Sequence, residues 1–439
     1  MAAPLASRIR GDKGASLIQV ALAIVVLAGF CAFVLDQGVV LWSRGEAQNA
    51  ADAGALSGAI ARAFDDTADP PAAGGLAWTS ANSVALQNAV GTPGGTTTVT
   101  VGFSPTVPCP AFAAGAKCTR VDVFRDGSNG STTLPAYFAN IFGITSQQTR
   151  ASAVAWSKAG NAVNCMRPFA VTDKYLEKGP ATSNTVGAFD RWIDPPGPVS
   201  AAQIATPDLY VPPNGTSTGT GYTVALDLGT QVLLKGGNNP NSASGPITPG
   251  WFLPIQLPDG EGGYSSGADD YRFAIGHCSG NGVVQIGDYL PTETGAMIGP
   301  TSQGVADLIG LDSTASWNTG TNSIVNSCVP GCGAVSPRVV PIAVVDADEF
   351  QWRSTANNWT DKWTPGTGTT AGQPAGVGFS CPIGGRCVRV ANILGFFVEQ
   401  MVGNDVRGRI VMLPGIFAAG GSGGIAAGAS FVTVIQLIR

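Results

Sequence analysis

The chain has 439 residues, a net charge of −5 and only 12% charged residues, which is about half the charged share of a typical soluble domain. The apolar share of 44% excludes a disordered protein, the lack of a Lys/Arg cluster argues against nucleic-acid binding, and the shortage of charged helix formers excludes a coiled coil or helical solenoid. With 60 glycines that follow no three-residue period, the composition is typical of a loop-rich, β-leaning exported protein.

The N-terminal part contains a stretch that is long enough to cross a bilayer. Residues 1–14 form a short basic segment, and residues 15–35 then run without a charge. A helix of this length measures about 31 Å, the thickness of a bilayer core. The basic flank predicts a cytoplasmic N-terminus and a single-pass anchor. The alternatives are a buried core helix and a cleaved signal peptide, whose apolar region is usually shorter and ends at small residues.

Residues 39–64 predict a helix that continues from this stretch. Its small residues fall into two rows with a spacing of four, and a third row is apolar: Ala47, Ala51, Ala55 and Ala59; Ala50, Gly54 and Gly58; Leu56, Ile60 and Phe64. Small rows let another backbone approach closely, and glycine costs about 1 kcal/mol in a helix interior. We therefore expect this helix to dock on a partner or on the chain's own sheet, with a plain alanine-rich spacer as the alternative.

The order of residues in this region resembles the N-terminal signature of the TadE/TadG-like family, which serves the assembly of Flp (tight adherence, Tad) pili. A basic residue and Gly14 precede the apolar stretch, and the signature residues follow it: Asp36, Gly38, Arg44, Gln48, Asn49, Ala50, Ala51 and Asp52. Looser similarities to the long, TadG-like members occur at residues 165–173, 299–309, 336–346 and 395–399. The resemblance implies a protein of the bacterial inner membrane whose partners are pilus-assembly or pseudopilin-like proteins.

Gly14 is a candidate processing site by the same resemblance. In pilin-like precursors a peptidase cuts after a glycine, and a glutamate stands five residues further on. Here Gln19 stands at that position, and a glutamine cannot form an ion pair with a new N-terminal amine on Ala15. We therefore expect an uncut, permanently anchored accessory protein rather than a polymerising subunit.

The rest of the chain predicts two parts and an α+β, mainly β fold. In residues 36–160 we expect the long helix to pack on a small antiparallel sheet in a pilin-like layout, with strands at 96–103, 118–126 and 149–157 and a short helix at 134–142. Residues 161–439 predict a β-rich, loop-heavy extracytoplasmic domain with strands at 167–172, 223–228, 231–234, 283–286, 338–346, 387–400, 408–413 and 430–438. The best helical signal in this second part lies at 303–311.

The nine cysteines fit an oxidising compartment. Cys31 lies in the apolar stretch and is expected to be free. The other eight favour three local pairs and a remaining long-range pair, although they allow many other connectivities: Cys109–Cys118, Cys328–Cys332, Cys381–Cys387 and Cys165–Cys278. Zinc is the alternative for Cys328 and Cys332, which alone have zinc-like spacing.

Motifs for catalysis or metal binding are weak. Ser265 and Ser422 stand in G-x-S-x-G strings, but neither has the strand, helix and downstream histidine of a nucleophile elbow, and His277 is the sole histidine. Asp312 begins a string similar to the metal-binding loop of von Willebrand A domains. Acidic residues that could bind calcium occur in two loops: Asp269 and Asp270, and Asp346, Asp348 and Glu349. We expect no catalysis, no cofactor and no metal.

The sequence therefore predicts a membrane-anchored accessory protein for Tad/Flp pilus assembly or envelope anchoring, which acts through protein contacts. The alternative is a surface adhesin whose 161–439 domain binds a ligand through loops and aromatic residues: Trp251, Phe252, Tyr264, Trp352 and Trp359. An exported hydrolase is the least favoured function. Neither nucleic acid nor a small-molecule substrate is expected as a partner.

Overall fold

A computed structural model describes residues 12–66, 68–88, 90–91, 94–111, 115–177, 189, 208–235, 250–278, 282–333, 335–347, 383, 387–418 and 424–438. The helices are α1 (Asp12–Phe64), α2 (Leu76–Gln87), α3 (Val224–Asp227), α4 (Ala268–Gly276) and α5 (Ile298–Gly310), together with a 3-10 helix over Ala139–Phe142. The strands are β1 (Thr98–Phe103), β2 (Lys117–Arg125), β3 (Leu134–Pro135), β4 (Ser146–Gln147), β5 (Thr149–Ala159), β6 (Ala162–Val163), β7 (Arg167–Thr172), β8 (Gln231–Leu234), β9 (Phe252–Pro254), β10 (Leu257–Pro258), β11 (Tyr264–Ser265), β12 (Val284–Gln285), β13 (Tyr289–Pro291), β14 (Ser316–Asn318), β15 (Ser323–Val325), β16 (Val339–Val345), β17 (Cys387–Val402), β18 (Asp405–Val411), β19 (Leu413–Pro414) and β20 (Val432–Ile438).

The chain divides into two compact units. Unit 1 comprises the residues up to Ser157 and the C-terminal segment from Ile435, and unit 2 comprises Lys158–Val434. A long apolar helix at the N-terminus followed by sheets confirms the expected α+β class. The sequence predicted residues 161–439 as one domain, whereas the end of β20 clusters with unit 1.

Helix α1 is continuous over 53 residues, so the predicted continuation of the apolar stretch as helix is confirmed. Its first half exposes large apolar side chains on all sides: Leu17, Ile18, Val20, Leu22, Ile24, Val25, Val26, Leu27, Phe30, Phe33, Val34 and Leu35. A helix that is apolar all round and uncovered is typical of a membrane span. By length and composition, α1 can cross a membrane.

In unit 1, α1 and α2 pack on a sheet with the strand order β1-β2-β5-β20. Strands β1, β2 and β5 pair antiparallel. The side of the sheet that packs in one cluster with these helices combines Val121 and Val123 of β2 with Ala151, Ala153 and Ala155 of β5. Helix α2 was not predicted from the sequence, because its buried face consists only of alanines at a spacing of four: Ala77, Ala81 and Ala85.

The predicted helix at 134–142 is wrong. Leu134–Pro135 forms β3, and the 3-10 helix begins only at Ala139. The backbone N–H groups of Tyr137, Phe138 and Ala139 donate to a carboxylate of another element, which takes them out of any local helix. Gly143 then ends the turn in the left-handed region, at a φ of 81° that glycine adopts readily.

In unit 2, the main sheet has the order β8-β18-β17-β16-β7-β9, and β13 also pairs with β17. Strands β16 and β7 are parallel, whereas β16 and β17 are antiparallel. Val340, Ile342 and Val344 of β16 face a cluster that includes residues of α4 and α5, and Ala343 and Val345 face the opposite cluster. Both faces are buried, which explains why the central strands are continuous apolar runs.

Two further predictions differ from the structure in unit 2. The predicted strand at 223–228 is wrong: these residues form α3, where the Asp227 carboxylate accepts the Thr223 N–H at 2.8 Å and closes a local turn. Helix α4 was missed, because only nine residues form it and its first turn holds Asp269 and Asp270. The helical signal at 303–311 is confirmed by α5.

Candidate functional site

Asp36, the first residue after the apolar stretch, lies at a junction between α1 and a loop about a hundred residues later. The residue is 3% exposed. Its Oδ1 accepts the Tyr137 N–H at 3.1 Å, and its Oδ2 accepts the N–H groups of Phe138 and Ala139 at 3.1 and 2.5 Å. Burial opposes the charge, and the three N–H donors compensate for the lost hydration. The carboxylate thus holds this loop against α1.

The other signature residues of α1 divide between its two sides. Ala50 and Ala51 are fully buried, and Asp52 is nearly so. Gln48 donates to the Asp52 carboxylate at 2.8 Å and to the Ser152 carbonyl of β5 at 3.4 Å. The outward members Gly38, Arg44 and Asn49 are exposed. The inward members therefore belong to the packing of unit 1.

Two glycines of α1, Gly54 and Gly58, lie where α2 crosses it. A Cβ atom on Gly54 would lie 2.8 Å from the Ala85 Cβ and 2.9 Å from the Ala81 carbonyl oxygen. A Cβ atom on Gly58 would lie 2.7 Å from the Ala81 Cβ. These distances are too short for a real side chain, so the crossing requires glycine at both positions.

The small rows of α1 therefore dock on the chain's own α2 and sheet, and the spacer alternative is wrong. All of Ala47, Ala51, Ala55 and Ala59 are fully buried. A partner protein cannot reach these rows while unit 1 is folded. The apolar row is the outward one, since Leu56 is 37% and Ile60 42% exposed.

Arg62 is a structural residue of α1 that the sequence analysis missed. It is 3% exposed, donates to the Cys118 carbonyl at 2.7 Å and to the Ser104 carbonyl at 2.9 Å, and pairs with Asp69 at 2.7 Å. The one sequence signal was a basic residue isolated near the end of an alanine-rich helix. Arg62 ties that end of α1 to β2 and to the loop after β1.

The cysteines lie as follows in the described residues. Disulfides join Cys109 to Cys118, Cys165 to Cys278 and Cys328 to Cys332. Cys387 is disulfide-bonded, and its expected partner Cys381 lies outside the described residues. Cys31 is free and exposed on α1.

The ligand atoms of the candidate metal-binding residues Asp312, Cys328 and Cys332 lie within 4.8 Å of one another. Each of these residues already uses those atoms in a disulfide or in hydrogen bonds. The two sulfurs bond to each other, so neither is the thiolate that zinc binds. The Asp312 carboxylate accepts the hydroxyls of Ser327 and Ser336 at 2.7 and 2.6 Å and the Cys328 N–H at 3.0 Å. Although burial opposes the charge, these bonds lower its pKa. The arrangement stabilises a loop.

The candidate catalytic residues are not brought together. Ser265 lies in the two-residue strand β11, and the His277 ring stacks on Phe273 with 4.5 Å between centroids. Among the hydrogen bonds of the described residues, none joins Ser265 to His277. Asp269 and Asp270 are exposed in the first turn of α4. Ser422, Asp348, Glu349, Trp352 and Trp359 lie outside the described residues.

The processing candidates and the aromatic residues of the predicted ligand surface do not come together in the described part of the chain. Gly14 and Ala15 lie within α1, and Gln19 is exposed on it. Trp251 and Phe252 are buried, at 6% and 2% exposure, and Tyr264 is half-buried. Trp251 and Phe252 thus pack in the core of unit 2 rather than on an exposed surface.

Unit 2 contains a cavity of about 660 Å³ at the end of β7. Asp173 lines it, and its carboxylate accepts the N–H groups of Tyr222 and Lys174, both at 2.9 Å, and the Tyr210 hydroxyl at 3.0 Å. Burial raises the pKa of Asp173 to about 6 and the charge of Asp346 adds to the rise, against the opposing effect of the three donors. The carboxylate connects β7 to the segment that leads into α3.

The raised pKa of Asp173 makes the stability of unit 2 depend on pH. The folded state binds the proton more tightly than the unfolded state, whose pKa is 3.8, so this stabilisation is complete below that value and is lost as pH rises through about 6. The loss is about 3 kcal/mol at neutral pH. We expect Asp173→Asn, measured by urea unfolding, to gain this amount over the wild type at about pH 8 and almost nothing at about pH 4.

The matched control for this prediction is Asp269→Asn, because Asp269 is exposed. Its stability difference from the wild type should be small at both pH values. A constant difference between Asp173→Asn and the wild type across the pH range would contradict the prediction.

Comparisons of the chain with protein-family models, with curated proteins and with solved structures found no match. The function is therefore inferred from the residues and from the geometry of α1. Among the sites described above, the junction at Asp36 and the packed half of α1 are those that unite the sequence signature with a defined structure.

Proposed function

We propose that the chain is a membrane-anchored accessory protein of the Tad/Flp pilus type, which holds its extracytoplasmic units at the bacterial inner membrane and acts through protein contacts. One observation carries the proposal: a single unbroken helix is bare and apolar in its first half and packed into unit 1 in its second half. A helix of 53 residues is about 80 Å long. It therefore supplies both the span and the scaffold of the first external unit.

Exposure of the apolar half of α1 to water is energetically unfavourable. Each large apolar side chain gains about 1.5–3 kcal/mol when it is fully buried, and Leu17 to Leu35 provide a dozen of them. A lipid bilayer satisfies this requirement over the length of the stretch. The proposed topology places the basic residues 1–14 in the cytoplasm.

The pilin-like character of the proposal is supported by the way in which the second half of α1 lies on the sheet of unit 1. The alanine rows of the helix pack in one cluster with valines of β2 and alanines of β5, and Gln48 and Asp52 of the signature hydrogen-bond to each other beside β5. The signature thus contains residues that this packing needs.

Anchoring is tested by alkaline carbonate washing of membranes that contain the protein. We expect the full chain to stay with the membrane pellet, and a variant that lacks residues 15–35 to be released, because deletion of these residues removes the exposed apolar half of α1. External protease should digest both units and leave a short protected N-terminal fragment. Release of the intact full chain by carbonate would contradict anchoring.

The pilus role is tested separately in the native host. We expect cells that lack the chain to lose assembled Flp-type pili, and the full-length protein to restore them where the variant without residues 15–35 does not. Normal pili with lost attachment would instead favour the adhesin alternative.

A further inference from the structure

A loop of unit 1 is built as a compact, structured tip. Residues 136–145, here called the tip loop, connect β3 and β4, which pair antiparallel. Within it, the Ile144 N–H donates to the Ala139 carbonyl at 3.1 Å and the Gly143 N–H to the Asn140 carbonyl at 3.0 Å. The tip loop therefore has a defined shape and presents a defined surface.

The position of the tip loop along α1 is set by Asp36. Three successive N–H groups of the tip loop donate to this one carboxylate, and Asp36 directly follows the uncharged residues 15–35. The tip loop is thus held against α1 at the outer end of the apolar stretch. Because those donors and the burial of the residue shield the charge, Asp36 does not present a bare carboxylate at this level.

The surface of the tip loop is aromatic and uncharged. Tyr137 is 53%, Phe138 41% and Ile144 52% exposed. From position 127 to position 149 the sequence holds no charged residue. On α1, about one and a half turns beyond Asp36, Leu41 and Trp42 are also exposed, at 66% and 58%.

The exposed apolar part of α1 is about as long as the hydrocarbon core of a bilayer together with one polar interface layer. From Leu17 to Trp42 a helix rises about 39 Å, more than the hydrocarbon core of about 30 Å and close to the core with its polar layers. Trp42 and the tip loop then lie at the level of the lipid headgroups. Tyrosine and tryptophan concentrate in this layer, because one side of the ring is apolar and the other accepts water. Arg44, exposed two residues further on, lies within reach of headgroup phosphates.

We propose that the tip loop inserts Tyr137, Phe138 and Ile144 into the outer interface of the membrane that α1 spans, as a second contact with lipid. This inference rests on the membrane anchoring proposed above. A second contact beside the helix would restrict the rotation and tilt of unit 1, whereas a single helix leaves both free. The occupant is lipid, because the exposed side chains continue the apolar surface of α1, and the one charge at the junction, the Asp36 carboxylate, is buried beneath three N–H donors of the tip loop.

The inference is tested by photo-crosslinking with the full chain in vesicles of phosphatidylethanolamine and phosphatidylglycerol. The photoreactive residue benzoylphenylalanine replaces Phe138 in one variant and Tyr137 in a second, so that one position reports if the other disturbs folding. Leu27, within the apolar stretch, is the lipid-exposed control, and Leu86, 46% exposed on α2, is the control away from the membrane. Formation of the Cys109–Cys118 disulfide reports the folding of unit 1 in each variant.

We expect lipid adducts at Phe138 and Tyr137 in a yield several-fold above that at Leu86 and comparable to that at Leu27. Adducts at Leu27 together with background yields at Phe138 and Tyr137 would overturn the tip-loop inference and leave the anchor intact. Adducts of the tip loop with protein in place of lipid would overturn it as well. Background yields at Leu27 itself would overturn the membrane anchor.

Discussion

Replacing both Cys165 and Cys278 with serine is expected to lower the free energy of unfolding of unit 2 by about 5 kcal/mol. The two cysteines are 113 residues apart in sequence, so their bond closes a long loop in the unfolded chain. In the chain-entropy model, the entropy that such a bond removes from the unfolded state grows with the length of the loop. Unit 2 depends on this bond because it tethers the start of β7 to the end of α4.

The matched control is the double replacement of Cys328 and Cys332, which lie in the same unit and only four residues apart. The same model gives about 2 kcal/mol for a loop of this size. Both variants are measured by urea unfolding of the full chain in detergent without reductant. Equal losses for the two variants would contradict the loop-length argument.

The second large effect is expected at the crossing of α1 and α2. Gly54→Val combined with Gly58→Val should destabilise unit 1 by about 4 kcal/mol, since overpacking costs about 1–3 kcal/mol per site and the atoms in contact include the backbone carbonyl of Ala81. Helix propensity cannot produce this loss, because valine is a better helix former than glycine. Pulse proteolysis in urea, with cleavage at α2 as the readout, measures the change.

Gly45→Val is the control for this crossing. Gly45 lies on the same helix, and nothing stands within 4 Å of the position of its Cβ. The substitution should therefore leave stability unchanged or raise it by a few tenths of a kcal/mol. A loss at Gly45 as large as at the two crossing glycines would show that α1 rejects valine for a reason other than the contact with α2.

The features that followed from sequence are those with a local physical cause. The length of the apolar stretch and the alanine and glycine rows after it predicted the course of α1, because both properties are read along one helix. Strands such as β7 and β8 were predicted with the bounds that the structure shows, since β-branched and apolar residues form short runs there between turn residues. Helix α2 was not predicted, because a row of alanines does not distinguish a buried helix face from an exposed one.

The anchor-like stretch, the α+β class and the small-residue character of α1 all followed from the order of residues along the chain. What covers the small rows became clear only in the folded protein, since the surfaces that pack on them are α2 and β2 of the same chain. The role of Asp36 also became clear only there, since its donors lie 101 to 103 residues away. A carboxylate next to an apolar stretch is costly on its own, and the contact that relieves the cost forms between residues that no local pattern connects.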